Sequence, residues 1–357
     1  MKKRTLQILT VMGFIGFLLA MLLGTVLIPK EAFSQREKRY LAEFPQPQWD
    51  NIISGAWSDG LESWLADHIP LREFFVGLDA YKEYLLGQQT ASEIRVIDGR
   101  LVEAPVTVDQ EALEKNLNTI DSFAGKLDCG MTLALVPSAG WDTGREAWKD
   151  DAIIFDIYER VSVDTLNLTE CFRGKPELFY QTDHHWTSQG AYTGYQAIAA
   201  HFGREAAEQF TRERIPDCFR GSTYSRSALW LTEPEDMELW HGSDDIRYIA
   251  SDSPDPQKVF CRDRLTEADP YLVFLDGNHP LVRLYNPNAS GRLLVIRDSY
   301  SNCLGPFLAE SYGEVVMADL RYYRLPLSTL AAEGFDQVLM IYSLNSFLTD
   351  PFIILLR

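Results

Sequence analysis

Residues 293–301, with the sequence LLVIRDSYS, decide the fold of this chain. The four apolar residues predict a buried strand, and the polar turn after them leads into a helix from Ser301 to Tyr312. Further strands at 315–317 and 338–342 enclose a helix at 327–332. This alternation of strands and helices predicts an α/β fold in which helices flank a parallel sheet.

Ser299 lies in the kind of turn where α/β enzymes place a nucleophile. Reactive groups of open parallel sheets gather at the carboxyl ends of the strands, where Ser138, after a predicted strand at 131–136, is also expected. The start of the following helix offers Ser299 backbone N–H donors and the positive end of the helix dipole, which suit an oxyanion. The alternative is a capping role for Asp298 and Ser299, because both residue types favour helix N-caps.

A second stretch, Thr182–Thr187 with the sequence TDHHWT, follows a predicted strand at 177–180 and holds two of the six histidines. A serine hydroxyl is a weak nucleophile at neutral pH and needs an adjacent base. His185 is predicted to be that base, and Asp183 is predicted to hold its imidazole tautomer, as in Ser-His-Asp enzymes. Ser299, His185 and Asp183 form the predicted catalytic triad.

Further residues are predicted to contact the oxyanion or the substrate. Asn278 and Asn345 carry side-chain amides that can donate hydrogen bonds to an oxyanion. The remaining candidates belong to the two stretches or follow the strand at 315–317: His184, Trp186, Arg297, Asp298 and Arg321. Two of them have structural alternatives, since Trp186 also suits the core and Arg321 also suits an ion pair with Asp319.

Metal binding at Asp183, His184 and His185 is a weaker alternative. A complete ligand set is not evident, and the side chains of adjacent residues on an extended stretch point in opposite directions. The five cysteines show no metal-binding spacing, although Cys218 and Cys261 could pair in an exported protein; buried free thiols are the other reading. We therefore expect neither a metal ion nor a cofactor.

The composition excludes one class of partner. With 46% hydrophobic and 24% charged residues over 357 positions, the chain resembles an ordinary globular protein. Its net charge of −18 argues against nucleic acid, because phosphate binding needs a basic surface.

An uncharged apolar run from Thr5 to Ile28 follows the basic residues Lys2, Lys3 and Arg4. At ~1.5 Å per residue, this run is long enough to cross a hydrocarbon core of ~30 Å as a helix. The basic residues before it predict a cytoplasmic N-terminus and a single-pass anchor in the cell membrane, with the main domain extracellular. A cleaved signal peptide is the rival, but its apolar region is usually shorter and ends at a small-x-small site, which is missing after Ile28.

After the membrane segment 1–29, we expect a juxtamembrane helical region at 30–92 and a main domain at 93–357. Apolar residues recur at near-helical period on both sides of residues 67–72. The main domain is predicted to begin with a hairpin around Asp98 and Gly99, followed by a helix at 110–127. Residues 205–290 are rich in turns and are predicted to form a β-rich insertion.

Residues 179–192, with the sequence FYQTDHHWTSQGAY, resemble the signature of the DHHW-motif proteins, which are membrane-anchored extracytoplasmic proteins of Gram-positive bacteria. Further matching pieces occur through most of the chain after the apolar run: residues 33–39, 67–72, 274–278, 297–300, 306–308 and 319–323. The DHHW proteins are similar to the SGNH-like alginate O-acetyltransferases, in which an Asp-x-His-Trp motif precedes the catalytic serine. By this resemblance, Asp183 and His185 match the acid and the base, and Ser299 matches the nucleophile.

The resemblance implies an SGNH-hydrolase-like fold and an O-acetyltransferase that acts on a cell-envelope glycan or an exopolysaccharide. It also implies a multispanning membrane partner that exports the acyl groups. The related enzymes usually have Gly-Asp-Ser, whereas this chain has Arg297 in place of the glycine. An esterase with the same triad and a non-catalytic glycan-binding scaffold are the alternatives. Arg297 favours the scaffold, whereas the intact triad favours an enzyme.

Overall fold

The computed structural model describes residues 2–90, 92–144 and 148–356. The chain divides into two compact units. The first unit comprises Met1–Ser92 and Ser225–Leu231, and the second comprises Glu93–Tyr224 and Thr232–Arg357. The sequence gives no hint that the short segment Ser225–Leu231 is part of the first unit.

The first unit is mainly helical. Its elements before residue 92 are α1 (Lys2–Leu27), β1 (Phe33–Ser34), β2 (Arg39–Tyr40), α2 (Trp49–Ser54), α3 (Ala56–His68) and α4 (Arg72–Leu85). The two apolar runs around residues 67–72 form α3 and α4, as the helical period predicts. Within α1, the stretch Arg4–Leu27 is long and apolar enough to cross a membrane, a property that signal sequences share.

The second unit contains twelve strands and most of the remaining helices among its described residues. The strands are β3 (Ile94–Ile97), β4 (Arg100–Glu103), β5 (Met131–Val136), β6 (Asp164–Asn167), β7 (Thr211–Phe219), β8 (Glu235–His241), β9 (Arg247–Ala250), β10 (Ser253–Gln257), β11 (Leu281–Tyr285), β12 (Arg292–Arg297), β13 (Glu314–Asp319) and β14 (Gln337–Ser343). The helices are α5 (Gln110–Ala124), α6 (Asp150–Arg160), α7 (Thr169–Phe172), α8 (Ser188–His201), α10 (Ser301–Ser311), α11 (Leu327–Ala331) and α12 (Leu344–Thr349). Helix α9 (Ser222–Ser227) begins in the second unit and ends in the segment that belongs to the first.

Eight of these strands form one mixed sheet in the order β10-β9-β11-β13-β12-β14-β5-β6. The five strands from β13 to β6 are parallel, and the three strands at the other edge are antiparallel. After β12 the chain forms β13 on one side of it and then β14 on the other side. Ligands of open α/β sheets bind at such a switch point, and Ser299 directly follows β12.

Both faces of the parallel part of the sheet are covered. In β12, Leu293 and Val295 belong to the core on one face, whereas Leu294 and Ile296 belong to the core on the other. A strand that is buried on both faces reads as an uninterrupted apolar run, which is why β5, β12, β13 and β14 are recognisable in the sequence. The predicted α/β fold with flanking helices is confirmed.

Residues 177–180 do not form the predicted strand. Pro176–Leu178 form a 3-10 turn, and Phe179 makes only a single antiparallel bridge with Trp186. The backbone N–H groups of Gln181 and Thr182 donate to the carboxylate of Glu235, at 2.8 and 2.7 Å, instead of to a neighbouring strand. The TDHHWT stretch therefore lies in a loop rather than at the end of a sheet strand.

Residues 205–290 are rich in β-structure, but most of their strands do not form a separate insertion. Strand β11 pairs with β13 over five residue pairs, β9 pairs with β11, and β10 pairs with β9. These three strands therefore extend the main sheet. Only the hairpin of β7 and β8 forms a sheet of its own in this segment. The extension is antiparallel, which makes the sheet mixed rather than purely parallel.

Two smaller features can be compared with their predictions. Strands β3 and β4 form the expected hairpin, and Asp98 and Gly99 both have positive φ angles, 50° and 81°, as a two-residue hairpin turn requires. All five cysteines are free, so Cys218 and Cys261 do not pair.

Candidate active site

The structure brings the side chains of Ser299, His185 and Asp183 together. The Nε2 atom of His185 lies 2.8 Å from Oγ of Ser299, and its Nδ1 atom lies 2.5 Å from Oδ1 of Asp183. His185 and Asp183 are buried, whereas Ser299 is partly exposed. A nucleophile, its base and an orienting carboxylate require this order of contacts, with the reactive oxygen accessible.

The carboxylate of Asp183 accepts hydrogen bonds from several N–H groups. Its Oδ1 atom also accepts from the backbone N–H of His185 at 2.9 Å, and Oδ2 accepts from the backbone N–H of Ser222 at 2.5 Å. A Cβ atom on Gly221 would lie 2.1 Å from Cβ of Asp183, so this close approach of the loop requires glycine. Burial acts to raise the pKa of Asp183, but the charges of His185 and His184 and the hydrogen bonds hold it well below the usual 3.8. Asp183 is therefore ionised at neutral pH.

Two other rings contact the imidazole of His185. Tyr271 stacks on it, with ring centroids 4.0 Å apart and planes 13° from parallel. The ring of His184 lies 3.9 Å away at an angle of 39°. The expectation that adjacent histidines point in opposite directions is therefore wrong, because the backbone bends at these residues instead of running extended. The Nδ1 atom of His184 lies 2.7 Å from Oγ of Ser222.

Two hydrogen bonds tie the TDHHWT loop to the turn that carries Ser299. The indole N–H of Trp186 donates to the carbonyl oxygen of Tyr300 at 3.0 Å. In return, the hydroxyl of Tyr300 donates to the carbonyl oxygen of His184. Trp186 is completely buried, so it serves the core and fixes the loop, and it leaves no ring face for a sugar.

Asp298 anchors the turn to the sheet rather than capping α10 by itself. Its Oδ1 atom accepts from the backbone N–H of Tyr300 at 3.0 Å, and its Oδ2 atom accepts from the backbone N–H of Ser343 at 2.8 Å. Ser343 is the last residue of β14, the strand next to β12. The position of the Ser299 turn is thus fixed by a carboxylate that spans two strand ends.

Two N–H groups are available to an oxyanion, one on the backbone of Ser299 and one on the side chain of Asn278, whose oxygen bonds to Asn302, three residues after Ser299. Within the described residues, neither the backbone N–H of Ser299 nor the side-chain nitrogen of Asn278 meets an acceptor. Asn278 is exposed, and its Oδ1 atom accepts from the side chain of Asn302 at 3.0 Å. By contrast, Asn345 donates its side-chain N–H to Glu103 at 3.1 Å and bonds to no member of the triad.

Arg297 is completely buried directly before the turn, in the place where related enzymes usually have glycine. Its guanidinium donates to Oδ1 of Asn302, to Oδ1 of Asn278 at 3.4 Å and to the carbonyl oxygen of His279 at 3.4 Å. A guanidinium has only donors, so the amide oxygens of both asparagines must face it. The amide nitrogen of Asn278 is consequently turned away from Arg297 and remains free to donate.

The remaining sequence candidates have structural partners. Arg321 binds Asp319 through two N–H groups, at 2.9 and 2.6 Å, which fits the ion-pair alternative. Ser138, at the end of β5, is buried and donates its hydroxyl to Asp150 at 2.7 Å. The structure therefore does not join Ser138 to the triad.

Asp183, His184 and His185 also offer three possible metal ligands, because one atom of each lies within 4.8 Å of the others. Both ring nitrogens of His185 already have partners in Asp183 and Ser299. A cation bound here would have to displace the contact between His185 and Ser299. The arrangement therefore fits proton transfer better than metal binding.

Several residues of this site were not predicted from the sequence. They are Gly221, Ser222, Glu235, Tyr271, Tyr300 and Asn302. Gly221 and Ser222 stand in a recognisable turn sequence, and Tyr300 and Asn302 flank the predicted nucleophile. For Tyr271 and Glu235 no local pattern gives a signal, since both act through contacts with residues more than fifty positions away.

His184 should make folding stability depend on pH. Burial, with the adjacent charge of His185, lowers the pKa of His184 below its usual 6.5. Below that pH the unfolded chain binds a proton that the folded chain does not, so the free energy of unfolding should fall as the pH falls. We expect His184→Gln to remove this contribution to the change of unfolding free energy with pH between pH 7 and 5. For one proton the contribution is at most about 1.4 kcal/mol per pH unit.

Urea unfolding of both proteins at several pH values measures this effect. Asp183 does not contribute in this range, because its pKa is held well below the usual 3.8 and it is therefore ionised in both the folded and the unfolded chain. Parallel curves for the wild type and His184→Gln would contradict the prediction.

Comparisons with known proteins agree with this fold. A family model described as DHHW protein matches residues 160–318, which include the TDHHWT loop and Ser299. A DHHW family protein from Eubacterium siraeum DSM 15702 has 20% sequence identity and a TM-score of 0.64, covering 74% of this chain and 95% of its own. PatB1 from Bacillus cereus has 19% identity and a TM-score of 0.60, covering 72% of this chain and 98% of its own.

A second structure of Bacillus cereus PatB1, with a sulfonyl adduct, gives 19% identity and a TM-score of 0.59 over 72% of this chain and 97% of its own. The search of curated proteins found no match. At these identities the structural neighbours show the fold alone. Together with the family match, they confirm that this chain resembles the DHHW proteins, as the TDHHWT motif predicts.

Proposed function

We propose that the second unit is an O-acyltransferase, in the simplest case an O-acetyltransferase, that modifies hydroxyl groups of an envelope glycan or exopolysaccharide. The observation that carries this proposal is the hydrogen-bonded series Asp183–His185–Ser299, which ends in a partly exposed hydroxyl. The choice of an acyl group and a glycan rests on the resemblance to DHHW proteins and, through them, to SGNH-like O-acetyltransferases.

The proposed reaction has two halves. Oγ of Ser299 attacks the acyl carbonyl of the donor while Nε2 of His185 takes the hydroxyl proton, which it then gives to the leaving group. In the second half, His185 removes a proton from a sugar hydroxyl, and this oxygen attacks the acyl group on Ser299. The proton on His185 returns to Oγ when the serine ester breaks.

The residues around the triad can stabilise the charges that form on the imidazole and on the oxyanion in these steps. The ionised Asp183 stabilises the imidazolium that His185 becomes, and the lowered pKa of His184 keeps a second positive charge from forming beside it. The free N–H groups of Ser299 and Asn278 are the proposed donors to the tetrahedral oxyanion. The two loops are then held in place by four further residues, His184, Trp186, Asp298 and Tyr300.

The same site accepts either a sugar or water in the second half-reaction, so an esterase has the same triad. We favour transfer because the related enzymes are acetyltransferases. The donor is proposed to be an acyl group delivered by a multispanning membrane protein, with α1 anchoring this chain in the same membrane. An uncleaved anchor with a cytoplasmic N-terminus is part of this proposal.

Competition between sugar and water tests the transferase proposal. The full chain in detergent is incubated with p-nitrophenyl acetate, with and without uronate oligosaccharides or peptidoglycan fragments that carry no O-acetyl esters. We expect p-nitrophenol release to increase with acceptor concentration and acetyl esters to appear on the sugar. Free acetate as the sole product at every acceptor concentration would assign the protein to the esterases instead.

The sulfonyl adduct of PatB1 suggests a second probe, since sulfonyl reagents react with activated nucleophiles. If Ser299 is such a nucleophile, a sulfonyl fluoride should stop turnover in proportion to the fraction of protein that gains its mass.

A further inference from the structure

Helix α4 of the first unit exposes an apolar stripe. Phe74, Leu78 and Leu85 are 61%, 57% and 82% exposed, and at 100° per residue they lie within an arc of about 40°. The helix buries Gly77 and Ala80, which lie about 60° and 120° from Phe74 around the axis, outside this arc. Exposed apolar side chains that form one continuous stripe are unusual on soluble proteins and mark an interaction surface.

A groove of about 900 Å³ adjoins the stripe. Apolar residues from several parts of the first unit line most of it: Ile28, Ile69, Pro70, Leu78, Trp230 and Leu231. Charged residues, among them Lys30, Glu31, Arg36 and Glu73, also line it, and these must face the headgroups or water. Trp230 is fixed there by the bond from its indole N–H to the carbonyl oxygen of Glu73 at 2.9 Å, and Leu231 is 80% exposed. The stripe therefore continues into a larger apolar surface.

The C-terminal end of α1 lies against this surface. A Cβ atom on Gly24 would come within 2.6 Å of the ring of Pro70, so the last turn of α1 contacts the connection between α3 and α4. Ile28, directly after α1, lines the groove. The apolar surface of α1, which is long enough to cross a bilayer, is thus continuous with the groove beside α4.

Aromatic and basic side chains occur at the same level. The ammonium group of Lys30 lies 5.4 Å from the centre of the Trp64 ring. Membrane proteins place tryptophan and lysine where a helix leaves the hydrocarbon region, because their apolar parts stay in lipid while their polar ends reach water.

We propose that the apolar stripe of α4 and the adjoining groove form a lipid-facing surface. This surface inserts among the acyl chains of the leaflet from which α1 emerges. The net charge of −18 gives no attraction to anionic lipid, so burial of the apolar side chains must hold this lipid-facing surface in the membrane. A second copy of the chain or a partner protein would explain the stripe but not its continuity with α1. Lys82, beside the stripe, pairs with Asp79 and can extend towards the headgroups.

Photocrosslinking of the full chain in phospholipid nanodiscs tests this proposal, which does not depend on the catalytic one. p-Benzoylphenylalanine is placed at Leu78, and separately at Phe74, where the change is conservative. Tyr84 is the matched control, because it lies on the same helix, is 46% exposed and belongs to the side that carries Gly77 and Ala80. The mass of each protein before irradiation shows whether α1 is retained.

We expect lipid adducts at positions 74 and 78 to exceed those at position 84 by about five-fold or more, as for a helix that lies in the interface. Equal adducts at all three positions, or none, would overturn the proposal. Crosslinks from positions 74 and 78 to a second protein in native membranes would overturn it in favour of a protein-docking surface. Cleavage that removes α1 and leaves a chain that no longer binds the nanodisc would also overturn the proposal.

Discussion

Ser299→Ala is expected to abolish acyl transfer, with a loss in kcat of about 10⁴-fold or more, because among the described residues no other hydroxyl contacts Nε2 of His185. The loss should come without a loss of structure. Ser299 is partly exposed and makes one side-chain hydrogen bond, so the free energy of unfolding should change by less than about 1 kcal/mol. Steady-state hydrolysis of p-nitrophenyl acetate and urea unfolding measure the two effects.

Ser301→Ala is the matched control for this variant. Ser301 begins α10 two residues after Ser299 and is completely buried, and its Oγ atom has no hydrogen-bond partner among the described residues. Removing that hydroxyl should leave kcat unchanged and should not lower stability, since a buried polar group without a partner is unfavourable. If Ser299→Ala kept its turnover, the nucleophile would be another group; a folded wild-type protein without turnover would support the scaffold alternative.

Arg297→Met is expected to lower both stability and turnover. The variant removes a buried charge and its N–H donors from four acceptors. Oδ1 of Asn302 and the carbonyl oxygen of His279 lose their donor, whereas Oδ1 of Asn278 still accepts from the side chain of Asn302. Breaking such a network costs about 3–5 kcal/mol in unfolding free energy. Both asparagines lose the guanidinium that orients them, and Asn278 is then held by Asn302 alone. We expect kcat to fall by up to about 10²-fold, the effect of losing one oxyanion donor, while KM stays nearly constant.

Arg292→Met separates this role from a general effect of losing an arginine. Arg292 starts the strand that Arg297 ends, and it pairs with Glu314 and Glu333 away from Ser299. Its replacement should lower stability modestly and leave kcat unchanged. If Arg297→Met folded and kept the wild-type kcat, Arg297 would only fill space, and the orientation of Asn278 would not depend on it.

Arg297 also bears on the choice between enzyme and scaffold. Its burial lowers the pKa of the guanidinium, and the nearby carboxylates of Asp319 and Asp298 oppose that effect. The arginine is therefore supported by charges and by hydrogen bonds, and it does not block the contact between His185 and Ser299. Replacement of the usual glycine is compatible with catalysis in this geometry, which removes the main argument for the scaffold alternative.

The sheet could be predicted because its central strands are buried on both faces. Such strands are short apolar runs between turn residues, and β5, β12, β13 and β14 all have this form. The segment before the TDHHWT loop has the same apolar form, yet it is no strand. The backbone N–H groups of Leu178 and Phe179 bond to Lys175 and Pro176, and that of Tyr180 bonds to the carbonyl oxygen of His185. These bonds fold the segment into a turn, which its apolar pattern does not distinguish from a strand.

The members of the proposed triad were predictable for a related reason. Ser299 follows a recognisable strand, and the pairing of acid and histidine in one motif restricts the choice of base. The surroundings were not predictable, because they depend on the fold. Tyr271 reaches the ring of His185 from a 3-10 turn, and Arg297 meets Asn278 across the site.

Intact-mass spectrometry after brief exposure to p-nitrophenyl acetate tests the central claim most directly. The account predicts that the wild-type chain gains about 42 Da, the mass of one acetyl group in the serine ester. Peptide mapping should assign this mass to Ser299, and the Ser299→Ala variant should not gain it. A folded wild-type protein that neither gains this mass nor turns over the ester, or an acetyl group that maps to another residue, would contradict the account.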